Sequence, residues 1–89
     1  MNELILSPKF ERAYRKFVKR DKRLQKKIDK ALTLMQKDLS TPSLRRHKLS
    51  GELEGLFACS CGYDCRIVFL LDQAQRIVLV DIGTHDEVY

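Results

Sequence analysis

SPKFERAYRKFVKR, residues 7 to 20, carries the pattern of an amphipathic helix with a defined start. Ser7 is a residue type favoured at the helix N-cap, and Pro8 is favoured at the first helical position. Apolar residues then recur at three- and four-residue spacing, with basic residues between them. The apolar residues are Phe10, Ala13, Tyr14, Phe17 and Val18. We therefore predict a helix from Pro8 to Arg20 with an apolar face and a basic back.

The segments on either side extend this pattern. Residues 2–6 (NELIL) are a short apolar run that predicts a strand leading into the helix. After the first helix, the next apolar residues again recur at helical spacing, which predicts a second helix. They are Leu24, Ile28, Ala31, Leu32, Met35 and Leu39, opposite a row of lysines and arginines. Asp21 stands just before this second helix and is a residue type that can cap a helix. The sequence thus predicts a basic helical hairpin.

The rest of the chain has strand-like periodicity. Residues 44–55 are polar and contain glycines, which predicts a loop. Apolar runs then predict three antiparallel strands with turns at residues 62–63 and 72–75. The predicted strands are residues 56–61, 64–71 and 76–82. This order of elements predicts a single α+β domain over residues 1–89, with the helices packed on one face of the sheet and the other face open and concave.

The charge of the chain is divided unevenly between its two halves. Residues 1–50 contain fifteen Lys or Arg and five Asp or Glu, a net charge of +10, whereas residues 51–89 contain two and seven, a net charge of −5. Basic residues often form only a solvated helix face. An excess of this size, however, favours an acidic partner such as RNA, DNA, the ribosome or an acidic protein segment.

The start of the chain, Met1-Asn2-Glu3, lacks the basic and apolar regions of a signal peptide. No stretch approaches the ~20 apolar residues that a membrane span requires. We therefore expect a cytoplasmic protein without a membrane partner.

The candidate chemical groups are two histidines, an arginine and an aspartate. His47 lies among the cations Arg45, Arg46 and Lys48, which favours a neutral imidazole that can accept a proton. The alternative is that His47 only adds to a basic patch, and His85 is open to the same two interpretations. If the sheet brings the loop before its second strand and the end of its last strand to one face, the two imidazoles converge.

Arg66 is the only cation in the two middle strands. A planar guanidinium there suits an anion such as phosphate, although an edge position would also explain it. Asp64, two residues earlier, can pair with Arg66 or orient a histidine.

Cys59, Cys61 and Cys65 raise the possibility of a zinc site with a histidine as fourth ligand. Their C-x-C-x3-C spacing lacks the C-x2-C pair of common structural zinc sites. An odd cysteine count in a cytoplasmic chain also argues against a disulfide framework. We therefore expect three structural thiols buried as small apolar groups.

Three short motifs, in this order, resemble the RelE/ParE superfamily of bacterial toxins, most closely its RelE and YafQ-like branch. They are HKLSG at residues 47–51, YDCRIVF at 63–69 and DIGTHDEVY at 81–89. The resemblance implies a RelE-like fold and a toxin of a type II toxin-antitoxin system. It further implies a ribosome-dependent endoribonuclease that cleaves mRNA, needs no cofactor and is neutralised by a cognate antitoxin in a hetero-oligomer.

The resemblance also implies catalytic roles for His47, Asp64, Arg66, His85 and Tyr89. One histidine would take the proton of the RNA 2′-hydroxyl and the other would protonate the leaving oxygen. Arg66 would stabilise the phosphorane charge together with Lys48 or Arg46. The loop cations Arg45, Arg46 and Lys48 would bind RNA. Tyr89 would stack on a base or assist proton transfer.

Two positions depart from the YafQ-like pattern. Ser60 stands where those toxins have a further histidine, and Cys65 stands where they have a tryptophan. The division of acid and base roles between His47 and His85 therefore stays open. Two alternatives also stay open, namely a ParE-like gyrase inhibitor without nuclease activity and a zinc-stabilised nucleic-acid-binding module.

Overall fold

A computed structural model describes residues 2–89 as three helices and a five-stranded sheet. The elements are β1 (Leu4–Leu6), α1 (Pro8–Arg20), α2 (Arg23–Lys37), β2 (His47–Lys48), β3 (Phe57–Gly62), β4 (Cys65–Leu71), β5 (Ile77–Gly83) and α3 (His85–Val88), with 3₁₀ turns at Pro42–Leu44 and Gly51–Leu53. Met1, part of the predicted domain range and of the predicted chain start, lies outside the described residues. No described helix has the length and apolar character needed to cross a membrane.

The strands form one sheet in the order β1-β5-β4-β3-β2. β1 pairs with β5 in parallel, and all other neighbouring strands are antiparallel. The predicted α+β class, helical hairpin and three-stranded meander are confirmed. The first turn of the meander lies at Tyr63 and Asp64, one residue later than predicted.

α1 and α2 pack on one face of the sheet, α1 mainly against β5 and α2 against β3. The Ser7 hydroxyl accepts a hydrogen bond from the Phe10 amide at 3.1 Å, as an N-cap does. The predicted cap of α2 at Asp21 is one residue off, because the N-cap of α2 is Lys22, which makes no side-chain cap hydrogen bond. Asp21 still accepts a hydrogen bond from the amide of Arg23, the first residue of α2, at 3.0 Å. The core between these layers is formed by buried residues of both, including Phe10, Phe17, Ile28, Ala31, Met35, Cys59, Ile67, Phe69 and Leu79.

The prediction of a functional loop over residues 44–55 is wrong in that the segment is not irregular throughout. The segment contains β2, which adds an edge strand to the sheet, and a 3₁₀ turn at Gly51–Leu53. β2 has only two residues and both are exposed, so no alternation of apolar and polar residues marks it in the sequence. As a consequence, His47 is fixed by strand pairing with Ala58 instead of lying on a free loop.

The face opposite the helices is partly covered by the end of the chain. α3 lies against β4 and β5. Ala58 and Val68 pair with each other, and side-chain alternation along the strands places both on the face away from the helical core. Both are nevertheless buried, and so is Val88 of α3. The open concave face predicted from the sequence is therefore narrowed by α3, which we did not predict.

The cysteine prediction is wrong in one respect. All three cysteines are buried, as expected, but Cys61 and Cys65 form a disulfide across the β3–β4 turn, with a Cα–Cα distance of 5.0 Å. Cys59 is a free thiol. A count of three allows one disulfide and one free thiol, and the hairpin brings the second and third cysteines together. The zinc alternative thereby loses two thiolate ligands.

Candidate active site

His47 and Tyr89 meet on the face opposite the helices. Nδ1 of His47 lies 3.1 Å from the carbonyl oxygen of Arg45, and a carbonyl can only accept a hydrogen bond. In a neutral ring this contact places the hydrogen on Nδ1, which leaves Nε2 as an acceptor. The Tyr89 hydroxyl lies 3.4 Å from Nε2 and can donate to it. Arg45 holds this geometry with a left-handed backbone, at φ +50°.

The Tyr89 ring is an edge-on neighbour of both imidazoles. Its centroid is 4.6 Å from that of His85, with the ring planes 83° apart, and 6.4 Å from that of His47, with the planes 80° apart. Partial burial raises the pKa of the Tyr89 phenol above its ordinary 10.0, whereas the charge of Arg66 acts to lower it. The phenol is therefore protonated at neutral pH and acts as a hydrogen-bond donor.

Asp64 fixes the backbone of His85. It lies in the β3–β4 turn with a φ of +40°, a left-handed conformation that aspartate tolerates better than most residues. Its Oδ1 accepts a hydrogen bond from the His85 amide at 3.0 Å. Of the two roles considered for Asp64, orientation of a histidine is thus the one observed, through the main chain and not through the ring.

Arg66 lies on the same face as the two histidines, opposite Ser60 of β3 and Gly83 of β5 in the strand register. Its Nη1 donates to the carbonyl oxygens of Gly62 at 3.2 Å and Cys65 at 2.9 Å. These contacts hold the guanidinium in place without neutralising its charge. Its other N–H groups can bind an anion.

The basic residues around His47 are divided between the two faces of the sheet. His47 pairs with Ala58, whereas Lys48 pairs with Phe57, which packs against the helical core. Because side chains alternate along a strand, Lys48 lies on the opposite face from His47. Lys48, one of the two cations predicted to act with Arg66, is therefore not placed beside it. Arg46 is exposed, and its charge acts on Asp38 and Cys59.

The profile of a protein family described as bacterial toxins of type II toxin-antitoxin systems, YafQ, matches residues 2–89. The chain belongs to this YafQ family of toxins. No curated protein sequence is significantly similar to the toxin.

Several solved structures share the fold over the whole chain. YafQ from Escherichia coli BL21(DE3) aligns with a TM-score of 0.84 at 14% identity, covering 100% of the toxin and 99% of that chain. An E. coli DinJ-YafQ complex aligns with a TM-score of 0.82 at 18% identity, covering 100% and 99%. HP0894 from Helicobacter pylori aligns with a TM-score of 0.76 at 24% identity, covering 100% of both chains. These similarities confirm the predicted RelE-like fold.

The toxin departs from the expected pattern at Ser60 and Cys65. The Ser60 hydroxyl donates to the Gly62 carbonyl at 3.2 Å and lies opposite Arg66. Cys65 is part of the disulfide and buried in the helix-side core. With only two histidines in the chain, this face holds the imidazoles of His47 and His85 alone. Within residues 2–89, no cluster of three or more His, Cys, Asp or Glu side chains could hold a metal ion.

Three residues near the site were missed in the sequence. Thr84 caps α3 by accepting a hydrogen bond from the Glu87 amide at 3.3 Å, and the Glu87 carboxylate accepts one from the Thr84 amide at 2.9 Å. Arg20 pairs with Glu87 at 3.1 Å. A threonine followed three residues later by a glutamate is the signature of a capping box, so the sequence did contain a signal for α3. It contained no signal for the contact with Arg20.

Proposed function

We propose that the toxin is an endoribonuclease that cleaves mRNA on the ribosome. The observation that best supports the proposal is that one ring, Tyr89, adjoins the imidazoles of both His47 and His85, with Arg66 on the same face. RNA transesterification needs a base, an acid and a group that stabilises charge on the phosphate, and these side chains can supply all three. The reaction uses the 2′-hydroxyl of the RNA as nucleophile and requires no metal ion.

His47 is the general base in this mechanism. Its Nε2 has an acceptor lone pair that faces the Tyr89 hydroxyl at 3.4 Å. When RNA binds, the 2′-hydroxyl replaces that hydroxyl as the donor. The 2′-oxygen then attacks the adjacent phosphorus while its proton passes to Nε2.

His85 is the general acid. The carboxylate of Asp86 lies 3.5 Å from its Nδ1, so an Nδ1 hydrogen can point toward it and leave the Nε2 hydrogen for the substrate. This proton passes to the 5′-oxygen as the bond between phosphorus and that oxygen breaks. The products are a 2′,3′-cyclic phosphate and a 5′-hydroxyl.

Arg66 and Asp64 have different supporting roles, Arg66 on the phosphate and Asp64 on His85. The free N–H groups of Arg66 bind the non-bridging oxygens, on which negative charge develops. Asp64 keeps His85 in position through the amide contact at 3.0 Å. Arg45, Arg46 and Lys48 are exposed and bind phosphates of the RNA. Lys48 lies on the other face of the sheet from His47, so its phosphate contact is away from the scissile bond.

The basic surface of α1 and α2 binds ribosomal RNA in this proposal. It consists of exposed cations, namely Lys9, Arg12, Arg15, Lys16, Lys19, Arg20, Arg23, Lys26, Lys27, Lys30 and Lys37. Binding through so many phosphate contacts weakens steeply with salt. The same surface suits an acidic segment of an antitoxin, and E. coli YafQ has been solved in a complex with DinJ. We place the toxin in the cytoplasm, in a hetero-oligomer with its antitoxin.

Purified toxin added to translating ribosomes tests the proposal. Cleaved mRNA should carry a 2′,3′-cyclic phosphate, and His47→Ala and His85→Ala should each slow cleavage by about 100-fold or more. A His85→Ala variant that cleaves at the wild-type rate would refute the assignment of the acid. Inhibition of gyrase without cleavage of mRNA would instead identify a ParE-like inhibitor.

A further inference from the structure

An ion pair joins the end of α1 to the turn that carries His85 and Tyr89. Nη2 of Arg20 donates to both carboxylate oxygens of Glu87, at 3.1 and 3.2 Å. The same carboxylate accepts a hydrogen bond from the Thr84 amide at 2.9 Å. These contacts lower the pKa of Glu87, the Thr84 amide contributing most and Arg20 next. Glu87 therefore connects α1 to the backbone immediately before His85.

Arg20 is itself held in a fixed position. Its guanidinium carbon lies 5.1 Å from the centroid of the Phe17 ring, within the range of a cation–π contact. Phe17 is a core residue with only 5% of its surface exposed. The position of the guanidinium is thus set by the packed core, although its outer surface faces solvent.

α3 depends on such contacts for its position. A helix of four residues has no stability of its own, because helix nucleation is unfavourable. Besides its capping box with Thr84, three contacts hold it, namely the Asp64 carboxylate on the His85 amide, the burial of Val88 and the Arg20–Glu87 pair. Gly83 allows the close approach, since a Cβ at Gly83 would lie 3.0 Å from Oε1 of Glu87. Loss of the ion pair removes the only one of the three contacts that comes from the helical layer.

We propose that Arg20 is a positioning residue, which acts through Glu87 to hold His85 and Tyr89 in their reactive arrangement. This inference rests on the function proposed above. Arg20 also belongs to the basic surface of α1, so a second role in binding RNA must be separated from the positioning role. The two roles affect different parameters, because a lost phosphate contact raises KM whereas a displaced imidazole lowers kcat.

The experiment compares Arg20→Gln with Arg76→Gln. Arg76 forms a matched pair with Asp72 in the β4–β5 turn, at the opposite end of these strands from His85, and its side chain is 47% exposed against 51% for Arg20. We expect Arg20→Gln to lower kcat by about 5- to 100-fold, the range for a catalytic group displaced by up to an ångström. Arg76→Gln should leave kcat unchanged, and Arg20→Lys should restore part of the loss.

A structural readout keeps the inference separate from the proposed function. The ring resonances of His85 and Tyr89 should shift in Arg20→Gln and not in Arg76→Gln, whether or not the wild-type toxin cleaves mRNA. Glu87→Gln combined with Arg20→Gln should lower kcat no more than the stronger single variant, because both act through one contact. If Arg20→Gln changes only KM, or leaves both ring resonances unmoved while the fold is intact by circular dichroism, the positioning role is overturned.

Discussion

The Tyr89 hydroxyl lies 3.4 Å from Nε2 of His47, although 42 residues separate them in the chain. The contact occupies the one imidazole nitrogen that the Arg45 carbonyl leaves free to accept a proton. Without RNA, the phenol thus covers the proposed base, and substrate must displace it. The role of the Tyr89 ring can therefore be separated from that of its hydroxyl.

Tyr89→Phe and Tyr89→Ala should differ strongly. Phenylalanine keeps the ring against His85 and removes one weak hydrogen bond, so we expect kcat/KM to change by less than about threefold. Alanine removes a stacking surface worth about 1 to 3 kcal/mol, which raises KM by about 5- to 150-fold. Steady-state cleavage measures both variants. Equal losses in the two would show that the hydroxyl, and not the ring, is needed.

Asp64→Asn should be tolerated far better than Asp64→Ala. Asparagine adopts the left-handed conformation found at φ +40° and keeps an oxygen acceptor for the His85 amide. Alanine loses that acceptor, at about 0.5 to 1.5 kcal/mol, and strains the turn by about 1 kcal/mol more. Urea unfolding and cleavage rates together check this. A wild-type cleavage rate for Asp64→Ala would mean that His85 needs no support from this carboxylate.

Phe10→Ala should destabilise the fold by about 3 to 5 kcal/mol, because Phe10 is completely buried in the helix-side core and its loss leaves a cavity. The matched control is Leu6→Ala, since Leu6 is 45% exposed and a substitution there should cost less than about 1 kcal/mol. Urea midpoints at neutral pH give both values. Similar midpoints for the two variants would contradict the core described above.

Acid should destabilise the toxin partly through Glu87. The pKa of Glu87 is lowered from 4.5 in the folded chain by the Thr84 amide and Arg20, so the unfolded chain binds its proton first. Stability from this group is therefore full above pH 4.5 and is lost as the pH falls through the lower folded value. Glu87→Gln should lose less stability than wild type between pH 6 and pH 3. An identical loss of stability in the two proteins would show that Glu87 does not contribute to acid destabilisation.

Alkylation should distinguish the three cysteines. Burial raises the pKa of the Cys59 thiol to about 11, so the native toxin should take up no iodoacetamide at pH 8. Unfolding without reductant should expose one thiol, and unfolding with reductant should expose three, as expected for the Cys61–Cys65 disulfide beside a free Cys59. Mass spectrometry counts the labels. Labelling of three thiols in the unfolded toxin without reductant would show that the purified toxin contains no disulfide.

Sequence patterns predicted the parts of the fold that depend on local periodicity. Ser7 and Pro8 marked the start of α1, and its five apolar residues marked the face that packs on the sheet. By contrast, β2 could not be predicted, because a two-residue exposed strand is defined by its partner Ala58 and not by its own composition. The disulfide was missed because it depends on where the β3–β4 hairpin turns.

The candidate site was predictable as a set of neighbouring residues but not as a geometry. The motifs selected His47, Asp64, Arg66, His85 and Tyr89, and the fold brings these five to one face or to its edge, while their catalytic roles stay a prediction. The orientation of His85 by Asp64 through an amide, and the contact of Arg20 with Glu87 across 67 residues, depend on tertiary packing that no local pattern records. The same packing places Lys48 away from Arg66.

The parallel pairing of β1 with β5 determines when the toxin can complete its fold during translation. Leu4 of β1 pairs with Ile77 of β5. β1 therefore cannot pair in the sheet until β5 has been translated. β5 also separates β1 from β4 in the sheet, and contacts of such sequence separation form late in folding. We therefore expect a nascent chain lacking β5 to be unable to complete the sheet, and to be inactive until β5 has been translated.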